Sequence, residues 1–585
     1  MSNSLFRKKN ISSIVAEGSD GSHGGGGLKR VLTVKDLTFF GIAAILGAGS
    51  FSSLGGAVFN GGPGVVVLFV ITAIACGFTA LCYSEFASRI PVAGSAYTYA
   101  YASFGELFAW VIGWALIMEY SIGNIYVAYS WSDYFTSLLS KMNVHIPAYL
   151  STSYMEAKHA VTGGSTNAEI LEAWNTAPIV GGMRIILDLP ALVIAFLITC
   201  LVYRGIKESR NFSNLMVWLK MGVVVLIILI GGYLVFSNGL TANWTPANDK
   251  GVHSFMPNGF KGVMMAVAGV FFAYIGFDAV SVLAEESKNP QRDLPRGMIL
   301  SLVICTIVYI LLTLVLTGAV HYKNFDGVGD PLAFIFEPQN LNIGWMQFLV
   351  AICAVVAMTS VLLVFQMGQP RIWMSMSRDG LLPPVFQKIH AKFKTPSFAT
   401  IITGLVVGVP ILFTDKTFVL DFTSIATLFA FVLVCGGVLL IPRKEKVPGR
   451  FQLPYINGQF IFPAIVAGAI VLAWSLSNTY FSDMFNMDFS GNKDLADGSK
   501  TFMDLAIPNI SLIVFWGFAI LLAILAFIKK YSLIPLMGVI TCMYLLTGMS
   551  KSNWVWFIAW LVLGVIIYFI YGYKHSKLAD NRAAL

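Results

Sequence analysis

Two short stretches break otherwise apolar helical runs in this 585-residue chain: Gly47-Ala48-Gly49-Ser50 in the first run and Tyr274-Ile275-Gly276-Phe277-Asp278 in the sixth. A helix that unwinds in hydrocarbon leaves backbone groups unpaired at a heavy cost. Such a break therefore persists only where protein, water or a bound solute satisfies those groups. The first break would expose amide donors at the start of a half-helix, and with the positive end of the dipole they suit a carboxylate. In the sixth run the carbonyls around Phe271, Phe272 and Ala273 end a half-helix and suit an ammonium. An anionic and a cationic head group side by side describe an α-amino acid. Glycines that merely allow close helix packing are the alternative, and for the first run alone the two readings balance. The paired location, five segments apart, favours a solute site at mid-membrane depth. The expected contact set is Ile45, Gly47, Ala48, Gly49, Ser50, Phe271, Phe272, Ala273, Ile275 and Gly276, joined by Glu119 and Met358.

Lys220 lies nine residues beyond Asn211, roughly 13 Å at helical rise. An ammonium at that depth needs a partner or a water cavity. A neutral-to-charged cycle would make it a proton carrier, and a fixed ammonium could instead bridge first-run carbonyls near Ala43 to Ile45 and the hydroxyls of Thr359 or Ser360. Snorkelling to the interface is the bland alternative, and the depth argues against it. Glu119 could bind a cationic side chain, take part in proton transfer, or hold the bundle as a hydrogen-bonded carboxyl. Asp278 has the same options, and the reading favoured for it is a structural one, a cap on the unwound backbone. Glu285, Glu286, Arg89, Arg292 and Arg296 fall at segment ends, where solvated charge is the default and an inner gate of ion pairs the sharper idea. No Ser/His/Asp triad, HExxH or GxxxxGK[ST] signature stands in a usable context, so neither an ATP-driven pump nor an enzyme finds support.

The elements that must position these groups are membrane spans. The chain is 57% hydrophobic and 12% charged, with a mean hydropathy of +0.74, far from the soluble class. Runs able to cross a hydrocarbon core of about 30 Å recur fourteen times. They are 38-59, 64-86, 105-135, 185-203, 211-236, 260-284, 298-320, 345-368, 396-415, 418-441, 460-480, 509-528, 531-548 and 553-573. The long third one must tilt or leave the bilayer. The fold class is thus all-α integral membrane. Lys and Arg concentrate in the loops on one side, such as Arg204, Lys207 and Arg210 or Arg443, Lys444 and Lys446, which places both termini in the cytoplasm. The net charge of +8 is then a topology signal and not a sign of nucleic-acid binding.

The seven cysteines all fall inside apolar runs without metal-ligand spacing, so no metal or other cofactor is expected. Residues 1-32 read as a disordered cytoplasmic tail, 33-441 as a ten-helix core, 442-573 as four peripheral helices and 574-585 as a second cytoplasmic tail. The polar stretches 136-184 and 481-508 would lie outside the membrane.

These stretches resemble the amino acid, polyamine and organocation transporter superfamily, in particular its cationic amino acid transporter branch. The resemblance rests on Gly47-Ala48-Gly49, the run from Tyr83 to Tyr97, Glu119-Tyr120, Phe271-Phe272-Ala273-Tyr274-Ile275-Gly276-Phe277-Asp278, Asn289 to Pro295, Gly368-Gln369-Pro370-Arg371 and Met376 to Pro383. It implies a 5+5 inverted-repeat core with discontinuous first and sixth helices, alternating access, and amino acid binding between those helices. It also matches Lys220 to a lysine thought to replace a sodium ion, which implies sodium-independent, proton-linked transport across the plasma membrane, or the inner membrane in a bacterium. Two departures stand out. Ser50 replaces an Ile or Val of the family pattern, and Met358 stands where cation-transporting relatives tend to have a smaller polar residue. A thioether there would fill the side-chain pocket, so neutral, small to medium apolar amino acids are the expected substrates. An exchanger on the same scaffold, a cationic amino acid transporter and a nutrient sensor are the alternatives.

Overall fold

The computed structural model describes residues 5, 7-9 and 32-580 apart from 91-94, 163-167, 205-209, 248-250, 282-286, 394, 441-449, 490-494 and 496-500. Glu285, Glu286, Lys207, Arg443, Lys444, Lys446, most of the 1-32 tail, residues 581-585 and the Ala48 side chain lie outside the described residues.

Among the described residues nine helices are long and apolar enough to cross a membrane, and three shorter apolar ones are Leu189–Arg204, Ser397–Ile411 and Leu533–Leu546. The first and sixth spans are each divided among short helices, which completes the expected fourteen. The third span, Glu106–Lys141, has 36 residues, about 54 Å at helical rise and well beyond the hydrocarbon thickness. It is the buried axis of the molecule, whereas the eleventh (Gly458–Leu476), twelfth (Phe502–Lys529) and fourteenth spans are covered by protein over a small part of their surface. Apolar residues all round a helix need no aqueous face when lipid is the solvent. The outer stretch 136-184 carries two helices, Tyr154–Thr162 and Ala168–Thr176, and a hairpin pairing Ile179–Val180 with Met183–Arg184.

The packing interchanges when each span is replaced by the one five places on. The first span packs on the seventh (Pro290–Ala319) and the sixth on the second (Val65–Arg89). The third packs on the ninth and tenth, and the eighth (Gly344–Arg378) packs on the fourth and fifth, with third against eighth at the centre. Successive spans alternate in direction, so a five-span unit repeated once must be inverted relative to its copy. That is the 5+5 core.

In the first span the helix Val34–Ile45 starts where the Thr33 amide and hydroxyl both donate to Asp36 Oδ2 (2.9 and 2.6 Å), a capping arrangement. The break falls earlier than the Gly47 to Ser50 stretch suggests. Leu46 and Gly47 are non-helical, and helix resumes over Ala48–Phe51 and again over Ser53–Gly61. The cause is local: the amides of Ser50 and Phe51 both reach Gly47 O at 3.1 Å, rewinding the chain at once. The sixth span comprises Gly259–Met265 and Val267–Phe272, followed by turns from Ala273 to Phe277. Gly276 there has φ +115°, a conformation that a side chain disfavours.

Candidate functional site

The two breaks lie against one another. A Cβ on Gly49 would sit 2.5 Å from Ala273 Cα, and one on Gly276 would sit 3.0 Å from the Ala44 carbonyl carbon. Close packing and a paired break are therefore one feature: the missing side chains let the two helix ends that flank the first break meet the turns of the sixth span. Gly47 approaches the eighth span, where a Cβ would meet Val361 Cγ2 at 2.5 Å.

Hydroxyls from neighbouring helices satisfy the carbonyls that the breaks release. Tyr309, in the seventh span, lies 2.9 Å from Ile45 O and 2.7 Å from Ala273 O. A phenol has one proton, so it serves one of these carbonyls at a time. The Ser53 hydroxyl lies 2.6 Å from Gly49 O and 3.0 Å from Gly269 O, and Tyr134 donates to Phe51 O at 2.5 Å. The Ser50 hydroxyl donates to Gly47 O (3.0 Å) within its own break. Of the amides that begin the helix at Ala48, those of Ser50 and Phe51 are taken by Gly47 O, and a helix start gives the Ala48 and Gly49 amides no intrahelical acceptor.

A cavity of about 10 Å³ lies between the breaks, lined by Ala44, Ile45, Gly49, Val127, Phe272, Ile275, Val361 and Phe365. It has room for about one water, and an amino acid enters only if these side chains move apart. Of the residues named from sequence, Ile45, Gly49, Phe272 and Ile275 line it. Met358 is fully buried one helical turn before Val361 and is not among the lining residues. Tyr309, Ser53, Val127, Val361 and Phe365 were not named. A tyrosine or valine in an apolar run carries no local mark of facing the site.

Lys220 is fully buried, and its Nζ donates to Ser360 Oγ at 2.7 Å and Ala43 O at 3.3 Å. It thereby ties the fifth span to the eighth and to the end of the first half-helix. The neighbouring Thr359 hydroxyl accepts from Trp131 Nε1 (2.9 Å) and donates to Val355 O (2.7 Å).

Glu119 is buried, and its Oε2 has no hydrogen-bond partner among the described residues. Asp278 is close enough to interact with it, while backbone amides of Gly276 and Ala279 reach the Asp278 carboxylate. Neither lines the small cavity. Arg89 pairs with Glu85 one turn earlier (2.6 Å), and Glu85 Oε2 also accepts from Leu453 N–H (2.6 Å). At the opposite end of the site Lys416 pairs closely with Asp133, with its ammonium 5.8 Å from the Tyr126 ring centroid.

An amino acid permease family model matches residues 32–490, and a model of the C-terminus of that permease matches residues 531–576. The chain is 36% identical to the branched-chain amino acid permease BcaP of Bacillus subtilis over 99% of its own length and 100% of the relative. It is 34% identical to the methylthioribose transporter of the same organism, covering 98% of this chain and 99% of the relative. To the vacuolar cationic amino acid transporter 2 of Arabidopsis thaliana it is 30% identical, over 99% of this chain and 94% of the relative.

Proposed function

The chain belongs to the amino acid permease family, and from that premise we propose that it moves a neutral, small to medium apolar amino acid across the plasma membrane, or a bacterial inner membrane, by proton-coupled, sodium-independent alternating access. The observation that carries this reading is the contact of the two breaks, Gly49 against Ala273 with Tyr309 spanning both carbonyl ends. The Ala48 and Gly49 amides receive the substrate carboxylate and the carbonyls of Phe271, Phe272 and Ala273 its ammonium. Tyr309 releases one carbonyl as the ammonium arrives, which suits a phenol shared between two acceptors. The apolar lining by Val127, Ile275, Val361 and Phe365 favours an apolar side chain. The name of the branched-chain permease relative agrees with that preference.

In this reading Lys220 with Ser360 and Thr359 couples the proton, Asp278 caps the sixth-span break, and Met358 backs the side-chain pocket. Both termini face the cytoplasm, spans one to ten form the transporting core and the last four spans flank it. A second reading, a cationic substrate, rests on Glu119 Oε2, which has no hydrogen-bond partner among the described residues.

The deciding experiment uses purified protein in vesicles with leucine, methylthioribose and arginine as candidate substrates. Uptake of leucine driven by an inward proton gradient, without sodium, supports the proposal. Uptake that needs internal amino acid and ignores the gradient makes the protein an exchanger and overturns symport. Preference for arginine overturns the neutral substrate.

Two variants refine the site. Tyr309→Phe leaves Ile45 O and Ala273 O without their shared donor, a cost of about 1–3 kcal/mol for a buried group. Its uptake rate should fall about tenfold or more with expression preserved, and an unchanged rate would remove Tyr309 from the cycle. Met358→Ser should admit larger or basic side chains in a competition assay. An unaltered inhibition profile would place Met358 outside the pocket and leave Val361 as the determinant.

A further inference from the structure

A second cavity, of about 500 Å³, opens far from the breaks. It lies where the second and tenth spans end, where the chain enters the eleventh span and where the twelfth turns into the thirteenth. Its charge is uneven. Glu85, the one carboxylate among the described lining residues, is occupied by Arg89 and the Leu453 amide. Lys529 and Lys530 are exposed on the rim and have no ion-pair partner among the described residues. Ser532 lines the same cavity, is 8% exposed, and its hydroxyl has no hydrogen-bond partner among the described residues. Two ammonium groups and a buried hydroxyl thus line one space, with Gln452 as a further polar neighbour.

The frame that presents them is held by backbone bonds. Lys530 sits at φ +54° at the end of the twelfth span, and its carbonyl accepts from the Tyr455 hydroxyl at 2.9 Å. Gly458 N–H donates to Tyr531 O (2.9 Å) and Leu533 N–H to Ile456 O (2.8 Å), lacing the turn to the segment entering the eleventh span. Immediately beside the lysines the surface becomes apolar and open: Phe527, Ile528 and Phe460 are 50%, 63% and 67% exposed, with the Phe460 and Phe527 rings 5.6 Å apart. Tyrosines and lysines at a span end, above exposed phenylalanine and isoleucine, mark the headgroup level of a bilayer.

We infer that this cavity binds a phosphate-bearing anion, with Lys529, Lys530 and Ser532 as its donors, and that the anion is the headgroup of an acidic phospholipid whose chains lie along Phe460, Phe527 and Ile528. Basic pockets between spans at the headgroup level recognise such lipids through this chemistry. The apolar strip distinguishes the lipid from free phosphate, which would gain nothing from it.

The test follows the unfolding temperature of the full-length protein in detergent during titration with phosphatidylglycerol, phosphatidylcholine or inorganic phosphate. A ligand selective for the folded state raises that temperature. Phosphatidylglycerol should raise it saturably and more than phosphatidylcholine, and inorganic phosphate should leave it unmoved. The Lys529→Gln, Lys530→Asn double variant should need about thirtyfold more phosphatidylglycerol for the same rise. Asparagine is chosen because it tolerates the left-handed backbone at position 530. Ser532→Ala should weaken the response and leave the lipid-free unfolding temperature within a degree or so. Equal responses to the two lipids, or an unaltered titration in the double variant, overturn the site. A rise with inorganic phosphate that the double variant abolishes overturns the lipid as its source.

Discussion

Lys220→Ala should yield a folded protein that no longer concentrates substrate against a gradient when driven by pH. A one-unit inward pH gradient supplies about 1.4 kcal/mol per proton, enough for about tenfold accumulation at one proton per substrate. Without the coupling group the internal-to-external ratio should fall to about one, while exchange of labelled for unlabelled substrate persists at a reduced rate. Lys220 Nζ reaches Ser360 on the eighth span and Ala43 O at the end of the first half-helix, so under the proposed coupling its protonation would decide whether a cation joins these elements. Loss of the proton removes one donor and weakens that tie, and a bistable contact of this kind converts a local charge change into movement of helices. Lys220→Arg retains charge without easy deprotonation, and it should bind substrate yet accumulate none. The check is radiolabelled uptake in vesicles at imposed pH gradients, with binding measured separately. Full gradient-driven accumulation in Lys220→Ala would rule out the coupling role.

Gly49→Ala should abolish uptake almost completely, with a loss of about a hundredfold or more, because positional error of about 1 Å in a site of this kind has that scale of effect. The added Cβ would stand 2.5 Å from Ala273 Cα. The obstacle is main chain on a packed element and not the mobile end of a side chain. The first and sixth spans must separate, at a packing cost of about 1–3 kcal/mol, and the proposed carboxylate and ammonium seats would no longer share one substrate. Gly56→Ala is the internal control. It lies seven residues on, and a Cβ there meets nothing within 4 Å. Its helix should gain stability of about 0.5–1 kcal/mol, and transport should be retained. Initial uptake rates of the two variants, normalised to protein in the membrane, decide the matter. Equal activity would show that the breaks need not touch for transport.

Gly276→Ala belongs to the same argument with a second cause. Its φ of +115° and the nearby Ala44 carbonyl both oppose a side chain. Expression should therefore suffer as well as transport, and a fluorescence size-exclusion profile separates the two effects.

Most of the architecture was legible in the chain itself. Hydrocarbon demands long apolar helices with their backbone bonded internally, so span number and the places where that rule fails can be read from local composition alone. Lys220 stood out for the same reason, since an ammonium nine residues inside an apolar run violates the rule conspicuously. The break in the first span begins one residue before the Gly47 to Ser50 stretch and ends three residues sooner, because glycine shows where a helix can unwind, and the hydroxyl and amide of Ser50, both turned back to Gly47 O, set where it rewinds.

What only the tertiary structure decided is which groups meet. Tyr309 bridges Ile45 and Ala273 across 264 and 36 residues of chain, and Ser53 joins Gly49 to Gly269 across 216 residues on one side. Val361 and Phe365 line the cavity in place of Met358. These helices are apolar on every face, because their outer surface meets lipid and their inner surface meets protein. Hydrophobic periodicity, which identifies the inward face of a helix in water, is therefore nearly silent here. Only the packing of one helix on another determines which residue turns toward the substrate.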